Sequence, residues 1–254
     1  MEGARMSVVE ALKGGLVVSV QAYPGEPMRD PDTMRRIAQA CMLGGAIGIR
    51  AQGIADLVAI RPVIDQPLIG LWKDGTTGVV ITLTVEHAIA VARTGCEIVA
   101  IDGTLRPRPD GSSVADSIAA IHAAGALAMA DCSCRTDGLA AAAAGADLIG
   151  TTLSGYTDDT DDTAKTDGPD LALVAAFARE LDRPVIAEGR VHTPAQARTA
   201  LDAGAHAVVV GTAITHPTTI TTWFADSVRQ SHPRTTFRQT TAVPSTIGLP
   251  KSSR

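Results

Sequence analysis

Aromatic residues make up only 3% of this 254-residue chain, with two Trp, two Tyr and three Phe. Its core must therefore be built from Ala, Val, Ile and Leu. Positive charge is also scarce, with 22 Lys and Arg against 27 Asp and Glu and a net charge of −5. Nothing in that balance suggests a nucleic-acid surface, which needs Lys and Arg clustered on one face. No apolar run reaches the roughly 18 residues of a membrane span, so no membrane partner is expected. The stretch MEGARMSVVEALKGG lacks the apolar segment of a secretory signal, and a cytoplasmic location is expected. There are four cysteines, and Cys132-x-Cys134 is the only close pair. No second Cys/His pair at zinc-like spacing accompanies it, so free, buried thiols and no metal are expected. The Gly-x-Gly-x-x-Gly fingerprint does not follow the first strand-like run, and no cofactor is expected.

What the chain has is alternation. Hydrophobic residues are 45% of it and charged residues 19%, the balance of a globular protein. Its length suits one (β/α)8 barrel of about 250 residues, or two small domains. Eight short apolar runs recur: LVVSVQA (16–22), AIGIRA (46–51), PLIGLWK (67–73), EIVAID (97–102), LAMAD (127–131), DLIGTT (147–152), PVIAEG (184–189) and AVVVG (207–211). Near-continuous apolar runs are the pattern of parallel strands buried on both faces. Segments with helical spacing lie between them, such as Asp32–Leu43, Thr84–Thr94 and the segment opening at Thr193-Pro194. Gly44, Gly95, Gly125, Gly145 and Gly204 stand where a helix-ending residue needs positive φ. Eight such repeats favour a closed, single (β/α)8 TIM barrel over an open sheet. Residues 1–229 are expected to form it, residues 156–168 a long acidic loop after strand six, and residues 230–254 a disordered tail.

Functional residues of such barrels gather at the C-terminal ends of the strands. The polar residues there are Gln21, Arg50, Lys73, Asp102, Asp131, Glu188-Gly189-Arg190 and Gly211-Thr212. If the barrel closes, they converge on one mouth. Each has a plainer reading. Lys73 alone is compatible with a solvated strand end. Asp102 and Asp131 could cap the helices that follow, and Arg50 could pair with either of them. Glu188, inside an apolar strand, is the carboxylate least expected without a purpose. His87, His122 and His206 read as surface or packing residues, while His192 could line the mouth. The ends of strands seven and eight suit a phosphate, held by backbone N–H groups near Gly189 and Gly211 and by a helix starting near Thr215. A Lys, a Glu and a phosphate site suit proton transfer beside a carbonyl. A Lys base must be neutral, and burial together with the cation Arg50 would lower its pKa from about 10.4.

The stretches GGLVVSVQAYPGEP (14–27), GGAIGIRAQG (44–53), PLIGLWK (67–73), VAIDGTLRPRPDG (99–111), LIGTTLSGYT (148–157), PVIAEGRVHTP (184–194) and AHAVVVGTAITHP (205–217) resemble the N-acylglucosamine-6-phosphate 2-epimerases, also called N-acetylmannosamine-6-phosphate 2-epimerases. The resemblance implies a (β/α)8 barrel that interconverts N-acetylmannosamine 6-phosphate and N-acetylglucosamine 6-phosphate in amino-sugar and sialic acid breakdown. It implies Lys73 as catalytic base and Glu188 as its partner. It also implies substrate contacts from Gln21, Arg50 and Asp131, a phosphate held near Gly189 and Gly211 with Arg190 and Thr212 beside them, and no cofactor or metal. The partner implied is a small phosphorylated amino sugar, with a homodimer possible. His216 stands where the resemblance leads one to expect an Arg. A pentulose-phosphate 3-epimerase or a decarboxylase barrel would need a metal-binding His/Asp set or an Asp-x-Lys-x-x-Asp signature, and the sequence has neither. A non-catalytic sugar-phosphate binder would have no use for both Lys73 and Glu188.

Overall fold

The computed structural model describes residues 2–75, 80–157 and 167–230. The expected tail from 231 onward and most of the acidic loop, residues 158–166, lie outside these. Eight parallel strands close in sequence order into a barrel. They are β1 (Leu16–Val20), β2 (Gly48–Gln52), β3 (Leu68–Leu71), β4 (Ile98–Asp102), β5 (Leu127–Asp131), β6 (Leu148–Gly150), β7 (Val185–Glu188) and β8 (Ala207–Val210). The helices between them are α2 (Pro31–Leu43), α3 (Ile54–Ile60), α4 (Val85–Ala92), α5 (Val114–Ala123), α6 (Arg135–Ala143), α7 (Leu171–Glu180) and α8 (Pro194–Asp202). Helix α1 (Glu2–Ala11) precedes the barrel, and α9 (Thr212–Thr215) and α10 (Pro217–Gln230) follow it. The chain divides into two compact units, Met1–Ile220, which holds the barrel, and Thr221–Arg254.

The period-two alternation of a strand sorts the apolar residues into two shells. Val17, Ile69, Leu71, Ile98, Ala100, Leu127, Met129, Leu148, Ile186, Ala207 and Val209 fill the inside of the barrel, with Leu12 joining them from the segment after α1. Val18, Val20, Ile49, Ala51, Val99, Ile101, Ala128, Ala130, Ile149, Ala187 and Val208 face the helices instead. With so few aromatics, close approach replaces bulk. A Cβ on Gly138 in α6 would lie 2.2 Å from the buried Phe177 ring of α7, and only Gly lets those helices meet there.

Several expected boundaries shift for local reasons. Gly44 has φ −76 and continues the helical backbone as the C-cap of α2, while Gly45 takes the positive φ of +94. Gly95, Gly125, Gly145 and Gly204 all take positive φ, as anticipated. The helix after β8 begins at Thr212 and not near Thr215. One turn closes there as Ile214 N and Thr215 N donate to Gly211 O at 2.9 and 3.0 Å. Pro217 then forces the preceding His216 out of the helical region, to φ −114 and ψ 77, before α10 begins.

Candidate active site

The alternation that builds the inner shell also builds the site. Continuing each inward-facing row one step past the apolar layer leads to Ser19 and Gln21, Arg50, Lys73, Asp102, Asp131, Thr152, Glu188 and Gly211. Ser19, Gln21, Lys73, Asp102, Thr152, Glu188 and Gly211 line a single cavity of about 350 Å³, together with Gly189, Arg190, Thr212 and His192. Arg50 and Asp131 do not line it. They are 1% and 0% exposed and lie buried beside Glu188. From there they support Glu188, which does line the cavity.

Arg50 forks onto Asp131, with Nη1 at 3.2 Å from Oδ1 and Nη2 at 2.6 Å from Oδ2. Its Nη1 also lies 3.0 Å from Glu188 Oε2. Burial pulls the Arg50 pKa down, but the two carboxylates outweigh it and the net shift is upward. A bidentate, charge-assisted pair of this kind holds its geometry tightly. Gly150 makes room for it, since a Cβ there would stand 2.7 Å from Met129 Cε and 3.0 Å from Asp131 Oδ1.

Thr152 joins the two carboxylates. Its hydroxyl is 2.6 Å from Asp131 Oδ1 and 3.2 Å from Glu188 Oε2. One hydroxyl has one proton to give, and the shorter contact assigns it to Asp131. A lone pair then faces Glu188, which suits a protonated carboxyl. Thr151 fixes the backbone of the same residue, accepting from Glu188 N at 3.1 Å and donating to Glu188 O at 3.0 Å. Sequence reading missed both threonines, because strand six ends in no charge. Counting in twos from Leu148 through Gly150 would have reached Thr152.

Glu188 is pushed up to about 7, first by burial and then by Asp131, against the opposing pull of Arg50 and Lys73. Lys73 extends into the open cavity, so its surface is exposed, yet protein walls surround its ammonium. Its pKa is lowered, by loss of water first and by Arg50 second, with Glu188 and Asp131 opposing. Its Nζ also lies 5.8 Å from the centroid of the Tyr23 ring. An acid pushed up and an amine pushed down are brought closer in proton affinity, which suits a pair that exchanges protons with a substrate. The raised Glu188 has a consequence for stability. The folded state keeps this proton up to about 7, whereas an ordinary carboxyl loses it near 4.5. Its stabilising contribution is therefore complete below about 4.5 and lost as pH rises through about 7. Between those limits the melting temperature of the native protein falls relative to Glu188→Gln, which has no proton to lose. A difference that stays flat across the range contradicts this environment.

The mouth carries strain and polar contacts where β7 and β8 end. Gly189 has φ +108, and Arg190 has φ +53, a region rarely used by residues other than Gly. Arg190 is held there by Nε on Gly168 O at 3.1 Å and Nη1 on Ser154 O at 2.5 Å, and its guanidinium lies 5.5 Å from the Tyr156 ring centroid. The guanidinium thus links Ser154 and Gly168 while lining the cavity. His216 is only 5% exposed. It packs edge-on to Tyr23 with centroids 4.7 Å apart, and its Nδ1 lies 3.6 Å from Glu26 Oε1. Gln21 donates to Ser19 Oγ at 2.8 Å, and its Oε1 is a buried acceptor without a donor among the described residues.

Neither Asp102 nor Asp131 caps a helix. Ser113 caps α5 and Cys134 occupies the N-cap of α6. Of the histidines read as packing residues, His87 stacks on Trp72 at 4.2 Å, His122 Nε2 lies 2.7 Å from Asp147 Oδ2, and His206 Nε2 lies 2.8 Å from Val9 O. Among the described residues no group of three His, Cys, Asp or Glu could hold a metal ion, and all four cysteines are free. No helix among them is long and apolar enough to cross a membrane.

Comparison with known proteins adds to this geometry. The family described as N-acetylmannosamine-6-phosphate epimerase matches residues 34–230. A protein of Cutibacterium acnes named N-acetylmannosamine-6-phosphate 2-epimerase is 53% identical over 232 residues, 90% of this chain and all of that protein. One of the same name from Caldanaerobacter subterraneus is 42% identical, over 89% of this chain and 96% of the relative. Among solved structures, the N-acetylmannosamine-6-phosphate 2-epimerase from Clostridium perfringens superposes with a TM-score of 0.83 at 41% identity, over 86% of this chain and 95% of the other. A thiamine phosphate pyrophosphorylase from Pyrococcus furiosus, with a TM-score of 0.55 at 17% identity, shares the fold alone.

Proposed function

The chain belongs to the N-acetylmannosamine-6-phosphate epimerase family, and on that premise we propose that it interconverts N-acetylmannosamine 6-phosphate and N-acetylglucosamine 6-phosphate by moving a proton at C2. One observation carries this reading: Lys73, with its pKa lowered, and Glu188, with its own raised to about 7, line the same cavity.

In the open-chain sugar, C2–H lies beside the C1 aldehyde and is acidified by it. Neutral Lys73 takes that proton on Nζ, and the electron pair of the broken C–H bond moves into the carbonyl to give an enolate. Protonated Glu188 delivers its proton to C2 from the other face, which inverts the centre. Lys73 is then an ammonium and Glu188 a carboxylate, the pair of states from which the reverse reaction or exchange with water resets the site. A positioned acid and base of this kind contribute about 10² to 10⁴ in rate. Arg50 and Asp131 hold Glu188 from below.

The same reading assigns the substrate contacts. Gln21 Oε1, lacking a donor among the described residues, accepts from a sugar hydroxyl. The phosphate lies at the β7–β8 edge, against backbone at Gly189 and Gly211 with Thr212 and Arg190 beside it. His216 is the ring donor of that edge. The four free thiols suit a reducing compartment, and we assign the reaction to the cytoplasm and to amino-sugar and sialic acid breakdown. Incubation with N-acetylmannosamine 6-phosphate, followed by NMR, is expected to yield N-acetylglucosamine 6-phosphate. Absence of that product, with turnover of a pentulose phosphate instead, would move the chain to another class of barrel enzyme.

A further inference from the structure

We propose that Arg106 and the apolar wall beside it form the subsite for the N-acyl group, with the guanidinium donating to the acyl carbonyl oxygen. The proposal rests on the reading of this cavity as an amino-sugar phosphate site. In a ring of eight strands in sequence order, β4 stands opposite β8 and β3 opposite β7. The cavity reaches across that diameter, from Gly211 and Gly189 on one side to Asp102 and Arg106 on the other. A 6-phosphorylated amino sugar is built with the same polarity. Its phosphate is at one end, and C1 and the acyl-bearing C2 are at the other. With phosphate at the β7–β8 edge and C2 between Lys73 and Glu188, the acyl group extends toward β4.

The side chains there match an acyl group. Asp102 is 1% exposed, and its Oδ1 accepts from Thr104 N at 2.9 Å and Thr104 Oγ1 at 2.5 Å. Its Oδ2 accepts from Arg106 Nη2 at 2.8 Å, and Arg106 Nε donates to Thr104 Oγ1 at 3.0 Å. The guanidinium is thus fixed at two nitrogens, while Nη1 makes no hydrogen bond among the described residues. Its charge is already balanced by a buried carboxylate. Such a pair repels a dianion on one side as much as it attracts it on the other, and it suits a neutral carbonyl acceptor. The neighbouring wall is apolar. Ile81 O accepts from Asp102 N at 3.0 Å, and Leu153 N donates to Cys132 O at 3.1 Å, just past β5. Val80, Ile81 and Leu153 all line the cavity. A fixed donor beside an apolar surface is the complement of a carbonyl oxygen carrying a methyl group.

Two ligands separate this subsite from the phosphate site. N-acetylmannosamine 6-phosphate carries the acyl group, and mannose 6-phosphate has a hydroxyl in its place. Calorimetric binding is measured in a Lys73→Ala background, where no turnover consumes the ligand. Adding Arg106→Ala is expected to weaken the acylated ligand about tenfold or more and mannose 6-phosphate less than about twofold. Arg106→Lys, which keeps the charge and loses the fork, is expected to narrow the gap between the two ligands in the same direction, and it carries the test if the Ala variant fails to fold. Equal weakening of both ligands would make Arg106 a phosphate contact and overturn the proposal, as would no change in either. Turnover by the native protein is scored separately. Its absence with ligand discrimination intact would overturn the epimerase reading and leave the acyl subsite standing.

Discussion

Replacing Lys73 with Ala is expected to lower kcat by about 10³ or more and to leave the barrel folded. The two halves of this expectation come from different features. The side chain projects into an open cavity, so its removal leaves no void in the packed interior. Its ring contact with Tyr23 is 5.8 Å from the centroid, and loss of a contact that long has little effect on stability. The chemistry depends on the amine entirely. Among the described residues no other basic side chain has both a lowered pKa and a place at the end of an inward-facing row. Steady-state kinetics with thermal unfolding tests both halves. A variant that retains turnover within about tenfold removes Lys73 from the proton transfer.

The second large effect is on stability. Arg50→Met is expected to destabilise the protein by about 3–5 kcal/mol, because removing one partner of a buried pair strands the other charge. Here it strands Asp131 and takes the cation from beside Glu188 as well. Asp131 is 0% exposed, and among the described residues the one side-chain donor it keeps is the Thr152 hydroxyl. For a chain of this size that loss corresponds to a fall in melting temperature of roughly 10 °C. Protonating the stranded carboxylates relieves the penalty, so the deficit is smaller at acid pH than at alkaline pH. Calorimetry at two pH values measures both signs. A melting temperature within a degree or two of the native value would mean that the buried pair is not what holds Asp131 in place.

The barrel was legible because strands buried on both faces write themselves as unbroken apolar runs, and eight runs separated by helix-length segments leave few alternatives. The mouth was legible because charge at the end of such a run has few places to go. Depth was not. Arg50 and Asp131 look like Lys73 in the sequence, yet they lie buried beneath the mouth, since one residue along a strand is only about 3.3 Å. Asp102 and Asp131 are register partners on neighbouring strands, but one lines the cavity and the other is covered. That difference is set by Arg50 reaching across from β2, a contact between residues 81 positions apart. Thr152 and Gly150 went unnoticed for the opposite reason. Neither carries charge, and their importance lies in what they allow Asp131 and Glu188 to do. The start of α9 at Thr212 depends on a single turn closed on Gly211 O, a pattern too short for periodicity to reveal.

The measurement that bears most directly on the central claim is solvent exchange at C2. Incubated with N-acetylmannosamine 6-phosphate in D2O, the native protein is expected to place deuterium at C2 of the N-acetylglucosamine 6-phosphate it forms, and Lys73→Ala to place none. Product formed without deuterium at C2, or exchange undiminished in Lys73→Ala, would contradict a proton transfer carried by Lys73 and Glu188.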